Sequence, residues 1–402
     1  MAGAALGSSG LLSACSSSGA SKKTIQVGAL QDLSGGLEIY GRQQEQATRL
    51  AIDAINAAGG VLGKTLDLHS NNTQSQDALN VQYARKLLQQ DKVAVVVGSL
   101  TSSSREAMRP IFDQSKGLLF YPTLYEGGLC DQNVFVTGPS ASQQIRPLVE
   151  YALKKLGKTF YIVAPNYNFG TISTLSYKKY IDEGGGKVVG TELLPLTTSN
   201  FASTISHIEA AKPDVVVALP VGSNQTGFYA QSASAGLKNK IKLISTNYGS
   251  GNQQVAISPE AGAGVIACLE YVPSVDNAAN QQFKSAWNKK FKGGADQIID
   301  EAANTWTAWH LWAAAAKKAG STDPSKVIKA LQSGISFESP GGRVQVDAKT
   351  NHLVRPMYIA EGNSKHGFDI VQTLDGIKPE YEQSVCHLGT NPDTHRQFVP
   401  NS

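Results

Sequence analysis

Apolar and polar positions alternate along this chain in the pattern of an α/β protein. Residues 25–30 form a short apolar run that ends in a polar, glycine-containing turn, as a buried strand does. Residues 47–58 then place apolar side chains at helical spacing, and Gly59 and Gly60 mark the end of that helix. Residues 93–97 are five consecutive apolar residues, which is typical of a parallel strand covered on both faces. The pattern predicts strands that alternate with helices from residue 24 onward.

The same alternation continues through the rest of the chain, with a break near Gly138 and Pro139. Further strands are predicted at 118–121, 159–164, 187–194, 215–219, 241–246, 265–271, 343–346, 357–360 and 368–371. Helices are predicted to begin at 103 and to span 143–156, 170–183, 201–211, 223–235, 278–291 and 298–319. Repeated β-α units build parallel sheets with helices on both faces. Because these strands are too many for one compact sheet, the sequence predicts two lobes of similar architecture.

Composition narrows the class of protein. The 402 residues are 41% hydrophobic, which is enough for a sizeable core. The net charge is +4 and the basic residues form no stripe, so we expect no nucleic-acid partner. No apolar run approaches the roughly 18 residues of a membrane-spanning helix, so we expect a mature chain that is not integral to a membrane.

The N-terminal segment contains a candidate lipidation site. Residues 12–15 read Leu-Ser-Ala-Cys, the order of a bacterial lipobox, in which small residues precede the cysteine that receives the lipid. No Lys or Arg comes before Lys22, so residues 1–23 are interpreted as a truncated signal followed by a flexible tether. Cys15 is the expected lipidation site. The alternative is a cytosolic tail in which this cysteine is unmodified.

Three further cysteines allow at most one disulfide within the chain. Cys268 lies in the apolar segment 265–271, so it is interpreted as a small buried hydrophobic residue. Residues 377–402 have few apolar side chains and would fray unless something fastened them. A Cys130–Cys386 bond would fasten this tail beside a loop of the first lobe. Three free thiols are the alternative, because connectivity does not follow from sequence alone.

Motifs for chemistry are missing from the sequence. Residues 58–65 nearly match a phosphate-binding loop, but they follow a predicted helix and precede a strand, which reverses the order that phosphate binding needs. We interpret them as a helix stop and a turn. The seven histidines are scattered, and no Cys-x-x-Cys motif, nucleophile elbow or dinucleotide fingerprint is present. The sequence therefore predicts a binding protein, not an enzyme, with no cofactor and no metal.

Polar and aromatic clusters follow four of the predicted strands. Open α/β sheets bind ligands at the carboxyl ends of their strands, so these clusters are the candidate binding site. Each cluster alone would be an ordinary loop, since such residues dominate turns. Together they could enclose one small polar molecule between two lobes. The clusters are residues 99–104, 122–127, 165–170 and 247–252.

Three segments resemble one known family. Residues 51–64 (Ala-Ile-Asp-Ala-Ile-Asn-Ala-Ala-Gly-Gly-Val-Leu-Gly-Lys) resemble the first-helix signature of the periplasmic substrate-binding proteins of ABC transporters. Residues 120–128 (Phe-Tyr-Pro-Thr-Leu-Tyr-Glu-Gly-Gly) and 351–353 (Asn-His-Leu) resemble the urea and short-chain amide branch of its Leu/Ile/Val-binding-like members. The resemblance extends from residue 24 to the C-terminus. It implies a type I Venus-flytrap fold: two Rossmann-like lobes, a hinge of three crossovers, and ligand in the cleft.

The resemblance also implies boundaries and contacts. Lobe 1 is expected at residues 24–138 and 269–345, and lobe 2 at residues 139–268 and 346–402, which include a C-terminal tail. Together with the four polar clusters, the resemblance gives nine expected ligand-binding residues. They are Ser99, Thr101, Ser102, Tyr121, Thr123, Tyr125, Tyr167, Asn247 and Tyr248.

The charge of the second-lobe loop bears on the ligand. Amino acid-binding members supply an acidic residue from the second lobe, but residues 247–252 contain none. An unpaired ammonium would be costly to bury, which favours a neutral amide or urea unless Glu126 turns toward the ligand. The expected protein is a lipid-anchored periplasmic receptor that delivers this ligand to an ABC permease and its ATPase. The alternatives are a receptor for a branched-chain or other amino acid, and a cytosolic amide sensor.

Overall fold

The structure is a computed structural model that describes residues 24–400. Two β-sheets with flanking helices form two lobes, which confirms the expected α/β fold class. The interpreted tether, residues 1–23 with Cys15, lies outside the described residues. Within residues 24–400, none of the helices combines the length and the apolar character that crossing a membrane requires.

The first lobe is built on a sheet of five parallel strands. The N-terminal part of the chain supplies β1 (Ile25–Gln31), β2 (Leu66–Asn72), β3 (Val96–Gly98), β4 (Leu119–Tyr121), β5 (Leu129–Asp131) and β6 (Val134–Val136). Its helices are α1 (Glu38–Ala57), α2 (Asp77–Arg85) and α3 (Ser102–Ser115). The sheet has the order β2-β1-β3-β4-β6, with every pair parallel. Each strand therefore ends at the same edge of the sheet.

The second lobe repeats this arrangement. Its strands are β7 (Thr159–Pro165), β8 (Lys187–Leu194), β9 (Val215–Ala218), β10 (Lys242–Ser245) and β11 (Ile266–Leu269). Its helices are α4 (Ala141–Lys155), α5 (Asn168–Glu183), α6 (Ala202–Ala211), α7 (Ser223–Ser234), α8 (Gln253–Ala256) and α9 (Pro259–Gly262). The five strands are parallel in the order β8-β7-β9-β10-β11. Their carboxyl ends form the second edge at which a ligand could bind.

The C-terminal part of the chain connects the lobes. It contains helices α10 (Ala278–Phe291), α11 (Asp300–Ala319), α12 (Pro324–Leu331) and α13 (Glu380–Val385). Its strands are β12 (Ser336–Ser339), β13 (Gly342–Val346), β14 (Leu353–Gly362), β15 (Phe368–Ile377) and β16 (His395–Gln397). Strand β14 pairs antiparallel with β11, β13 and β15, so the second sheet grows to nine strands.

The hydrophobic core shows where the chain crosses between lobes. Trp309 and Trp312 of α11 are fully buried and pack in one cluster with Val27 of β1, so this helix belongs to the first lobe. The chain thus leaves the first lobe after β6, returns after β11 and leaves again before β14, which makes three crossings. Val344 and Val346 lie in the same first-lobe cluster although their strand, β13, hydrogen-bonds to β14. The predicted boundary at residue 345 therefore falls inside a strand that touches both lobes.

The phosphate-loop-like segment is the expected turn. Helix α1 ends at Ala57, β2 begins at Leu66, and the backbones of Val61 and Lys64 exchange hydrogen bonds of 2.9 and 3.0 Å. Gly60 has φ +72°, and a Cβ there would lie 2.0 Å from the carbonyl oxygen of Lys64. This turn requires glycine for a steric reason, and no phosphate is needed to explain it.

The C-terminal tail is fastened to the first lobe. Cys130 of β5 and Cys386 are disulfide-bonded, with their Cα atoms 5.4 Å apart, and Cys268 is free and buried. Strand β16 pairs antiparallel with β5. Fully buried Glu382 accepts hydrogen bonds from the Gly128 amide at 2.8 Å and from two serine hydroxyls. The last 20 described residues therefore pack beside the loop that follows β4.

Candidate functional site

Side chains from both lobes enclose one cavity at the carboxyl ends of the parallel strands. The space that the centre of a water molecule can reach inside it is about 40 Å³, enough for a few water molecules or one very small ligand. The residues that line it are Tyr40, Leu100, Thr101, Ser102, Thr123, Leu124, Tyr167, Phe169, Val221, Asn247, Ser250 and Glu301. All four predicted clusters contribute to this wall, as the position of ligand sites in open α/β sheets leads one to expect.

The first-lobe wall begins where β3 ends. Gly98 has φ +133°, and a Cβ there would lie 2.1 Å from the Leu30 carbonyl oxygen, so the chain turns here on a glycine. Thr101 is the N-cap of α3, and its hydroxyl accepts a hydrogen bond from the Ser104 amide at 3.1 Å. Ser102 is the first residue of that helix. The turn and the cap bring both predicted residues to the cavity.

A buried ion pair lies behind Ser102. The Ser102 hydroxyl donates a hydrogen bond to the carboxylate of Glu126, and Arg105 Nη2 donates to the same carboxylate at 2.8 Å. The Glu126 and Arg105 side chains are both 0% exposed. The Arg105 guanidinium also lies 4.7 Å from the centre of the Tyr125 ring. Glu126 therefore faces Arg105 inside the first lobe and is not among the residues that line the cavity.

The second-lobe wall is held by neutral groups. Asn247 Nδ2 donates to the Pro220 carbonyl at 2.8 Å, while its Oδ1 accepts from the Ser245 hydroxyl at 2.8 Å and from Gln225 Nε2 at 3.2 Å. Tyr167 precedes α5 and is half-buried. Burial raises the pKa of Tyr167, so this side chain stays a neutral phenol. Both residues reach the cavity, as predicted.

Direct hydrogen bonds join the lobes around the cavity. The Tyr40 hydroxyl of α1 accepts from the Gly222 amide at 3.1 Å and from Gln253 Nε2 at 3.2 Å. The Ser250 hydroxyl donates to Asp300 Oδ2 at 2.9 Å. These contacts place the two walls against each other, the closed arrangement of a two-lobed binding protein.

One acidic residue in the wall was missed by the sequence analysis. Glu301 is 1% exposed, lines the cavity, and has a buried Oε2 atom without a hydrogen-bond partner. Burial, together with the neighbouring carboxyl of Asp300, raises the pKa of Glu301 well above its usual range. The loop at 247–252 contains no acid, as its sequence shows, but another part of the chain places one in the wall. The acid comes from the N-terminus of α11 rather than from the loop at 247–252.

Four predicted residues lie behind the wall rather than in it. The Tyr121 hydroxyl donates to the Leu100 carbonyl at 2.6 Å, and the Tyr125 hydroxyl is 2.5 Å from His352 Nε2. Tyr248 packs in the second-lobe core, where the centre of its ring lies 4.7 Å from that of a neighbouring tyrosine. Ser99 is buried in the turn after β3, and its carbonyl accepts from the Thr123 hydroxyl. These four side chains do not line the cavity, and the reason is that the pattern of strand ends does not reveal which way each side chain points.

Three further residues of the wall were not predicted as ligand contacts, and they differ in how clearly the sequence indicates them. Ser250 lies inside a predicted cluster, and Tyr40 begins near the polar turn that follows β1. Glu301 is on a helix that no strand directly precedes, so the rule of strand ends could not find it. The feature of the sequence that could have revealed Glu301 is the pair of acidic residues, Asp300 and Glu301, at the start of a long apolar helix.

One group of side chains has the composition of a cation site. Asp113, Asp131 and His395 bring one oxygen or nitrogen atom each within 4.8 Å of one another, far from the cavity wall. The carboxylate of Asp131 already accepts from Arg109 Nη1 at 3.3 Å and from the Asn133 amide at 2.8 Å. Because these protein donors occupy its oxygens, we assign no metal here.

Comparison with known proteins identifies the family. A family model described as "Periplasmic binding protein" matches residues 24–367. The chain belongs to this family. The leucine-, isoleucine-, valine-, threonine- and alanine-binding protein of Pseudomonas aeruginosa is 26% identical over 339 residues, which cover 81% of this chain and 86% of that relative.

Solved structures share the fold. A solute-binding protein of an ABC transporter from R. palustris, in complex with benzoate, is 25% identical, has a TM-score of 0.78, and covers 87% of this chain and 96% of its own. The branched-chain amino acid transporter substrate-binding protein LivJ of Streptococcus pneumoniae, in complex with isoleucine, is 22% identical with a TM-score of 0.76. It covers 89% of this chain and 100% of its own. The chain is thus a solute-binding protein of the ABC transporter class.

Proposed function

We propose that this protein captures a small polar nitrogen compound, urea or a short-chain amide, and delivers it to an ABC permease and its ATPase. The observation that carries the proposal is Glu301, whose unpartnered carboxyl oxygen is buried in the wall of the cavity between the lobes. A buried polar atom without a partner is costly, so a ligand that supplies an N–H group stabilises the closed state.

The surroundings of Glu301 favour a neutral ligand. Burial and the neighbouring Asp300 raise the pKa of Glu301, which favours its neutral form, and a neutral carboxyl both donates and accepts a hydrogen bond. A primary amide offers the matching N–H and carbonyl. The Tyr40 hydroxyl accepts two protein hydrogen bonds, which leaves its own proton free to donate to a ligand carbonyl.

A small aliphatic amino acid is the second candidate. The cavity has apolar residues, Leu100, Leu124, Phe169 and Val221, that could hold an aliphatic side chain. An ionised Glu301 could pair with a ligand ammonium. The names of the relatives also favour this candidate, because one is a leucine-, isoleucine-, valine-, threonine- and alanine-binding protein.

Location in the periplasm follows from the family as part of the same proposal. A lipid on Cys15 would hold the receptor at the membrane surface near its permease. Metabolic labelling with radioactive palmitate tests this: a labelled wild-type chain and an unlabelled Cys15→Ser variant are expected, and an unlabelled wild type would contradict it.

Calorimetry with a ligand panel tests the proposed function. Urea, acetamide and propionamide are expected to bind, while leucine, isoleucine and benzoate represent the ligands of the relatives. The Glu301→Gln variant separates the two candidates. Gln keeps a donor and an acceptor, so amide affinity should fall by less than about tenfold, whereas an amino acid would lose a charge-assisted hydrogen bond, roughly tenfold to a hundredfold in affinity.

Glu338→Gln is the matched control, since Glu338 has an exposed side chain far from the cavity. It should leave every affinity unchanged. Tight binding of leucine by the wild type, abolished by Glu301→Gln, would replace the first candidate with the second.

A further inference from the structure

Glu126 is surrounded by three hydrogen-bond donors. It accepts from Arg105 Nη2 at 2.8 Å, from the Ser102 hydroxyl, and from Gln397 Nε2 of β16 at 2.5 Å. The side chain is 0% exposed. Ser102 is the member of this set that also lines the cavity. Glu126 therefore acts on the ligand site through Ser102 and does not itself touch the cavity.

The charge of Glu126 fixes the direction of the Ser102 hydroxyl. An arginine remains protonated in proteins, and the buried Arg105 is matched by an ionised Glu126. A carboxylate has no proton and accepts only, so Ser102 must be the donor in their hydrogen bond. A serine has one hydroxyl proton. With that proton directed at Glu126, Ser102 can offer the cavity only lone pairs.

Two other hydroxyls in the wall are oriented in the same way. The Thr123 hydroxyl donates to the Ser99 carbonyl at 3.3 Å, and the Ser250 hydroxyl donates to Asp300 Oδ2 at 2.9 Å. Both residues line the cavity. The protons of these hydroxyls therefore point into the protein, and their oxygens keep lone pairs for a ligand, although Thr123 also accepts from Gln44 Nε2 at 3.4 Å.

We propose that Glu126 is a positioning residue that sets ligand specificity by holding Ser102 as a hydrogen-bond acceptor. A ligand N–H group finds a lone pair at Ser102, whereas a ligand carboxylate oxygen meets a second oxygen without a proton between them. At this position the site therefore selects amides over carboxylates of the same shape, while the Tyr40 hydroxyl can donate to the oxygen that both ligands share. This inference rests on the proposed function, because it takes the cavity as the ligand site.

Acetamide and acetate are the matched probes, because they have nearly the same size and differ in an NH₂ group against an oxygen. The measured quantity is the ratio of their dissociation constants, acetate over acetamide. We expect a wild-type ratio of at least about tenfold, which corresponds to one hydrogen bond gained or lost.

In the Glu126→Gln variant, the proton of the Ser102 hydroxyl is expected to change direction. The carbonyl oxygen of the new amide must face Arg105, so its NH₂ group faces Ser102 and becomes the donor. The Ser102 proton can then point into the cavity. The ratio should fall by at least about tenfold, through weaker acetamide binding and stronger acetate binding.

Two controls separate positioning from other effects. Glu382 is a second fully buried carboxylate, which accepts from Ser140, Ser142 and the Gly128 amide and does not line the cavity. Glu382→Gln should lower stability and leave the ratio unchanged within about twofold, since a loss of stability alone weakens both probes alike. In a Ser102→Ala background, Glu126→Gln should have no further effect on the ratio.

The outcomes are distinct for the two proposals. An unchanged ratio in folded Glu126→Gln, or a change that persists in the Ser102→Ala background, overturns the positioning role. The second result would mean that Glu126 acts by charge alone. Wild-type preference for acetate overturns the inference and leaves a solute receptor for carboxylates. Binding of neither probe, nor of urea, overturns the proposed ligand class and the inference with it.

Discussion

The two walls of the cavity are built at equivalent edges of two parallel sheets, but they are held by different chemistry. Behind the first-lobe wall lies the ion pair of Glu126 and Arg105, with both side chains fully buried. Behind the second-lobe wall, Asn247 is held by Ser245 and Gln225, which are neutral. In the first wall a charged carboxylate therefore orients a hydroxyl group. In the second wall neutral hydrogen-bonding side chains orient an amide, although the two sheets have the same geometry.

The difference has an energetic consequence. Removing one partner of a buried ion pair leaves an uncompensated charge and costs about 3–5 kcal/mol. Removing one partner of a neutral buried hydrogen bond costs about 1–3 kcal/mol. The first wall is thus the more sensitive to substitution, although both are equally buried.

The largest expected effect is that of Arg105→Met. This change leaves the Glu126 carboxylate buried without its cation, and it also removes the contact with the Tyr121 and Tyr125 rings. The free energy of unfolding should fall by about 3–5 kcal/mol. The second-lobe counterpart, Gln225→Met, breaks a 3.0 Å hydrogen bond to the Asn247 carbonyl and should cost about 1–3 kcal/mol. Urea denaturation followed by circular dichroism measures both.

A double variant checks the cause. In Arg105→Met with Glu126→Leu, the buried charge is removed together with its partner, so much of the lost stability should return. A double variant less stable than Arg105→Met alone would contradict the assignment of the loss to an unpaired charge, and equal losses for Arg105→Met and Gln225→Met would remove the contrast between the walls.

The disulfide that braces the first wall should give the next largest effect. Cys130 and Cys386 are 256 residues apart, and the second wall has no such bond among the described residues. Replacing both with Ser should lower the free energy of unfolding by about 2–4 kcal/mol, because the unfolded chain is no longer constrained. Dithiothreitol should lower the melting temperature of the wild type and leave the double variant unchanged. No effect of dithiothreitol on the wild type would show that the bond adds no stability.

Most of the fold could be predicted from the sequence. Runs of apolar residues such as 215–219 appear as buried parallel strands because both faces of a parallel strand are covered. Helices α2 and α12 and the edge strands β6 and β12 are among the elements that were missed. Strand β12 reads Ser-Phe-Glu-Ser and is largely exposed, so it carries no apolar run by which to recognise it. Local pattern thus identifies buried elements better than edge elements.

The site was predicted less completely for a different reason. Thr101, Ser102 and Thr123 follow strands of the first sheet, so their positions at the cavity follow from topology. Glu301 lies in the wall only because the chain crosses back from the second lobe to the first before α11. The position of that helix depends on tertiary packing. The pairing of Glu126 with Arg105 also joins residues 21 apart whose side chains meet only in the folded lobe.

The smallest expected effect concerns pH and Glu270, a fully buried acid that accepts a hydrogen bond from Asn304. Burial, followed by the charge of Asp300, raises the pKa of Glu270 to about 7 from its usual 4.5, and Arg355 partly offsets this. Between pH 4.5 and about 7, the folded protein therefore keeps a proton on Glu270 that the unfolded chain has released. Stability contributed by this proton is present below about pH 4.5 and is lost as the pH rises toward 7. The melting temperature should decrease by about 2 °C across this window.

Glu270→Gln should flatten the decrease, and its comparison with the wild type cancels the opposite contribution of His352, whose pKa burial lowers. Differential scanning fluorimetry from pH 5 to 8 measures both proteins. Parallel curves for the two would show that Glu270 does not titrate in this range, and the contrast between a carboxylate held in an ion pair, Glu126, and a buried acid that binds a proton, Glu270, would then fail.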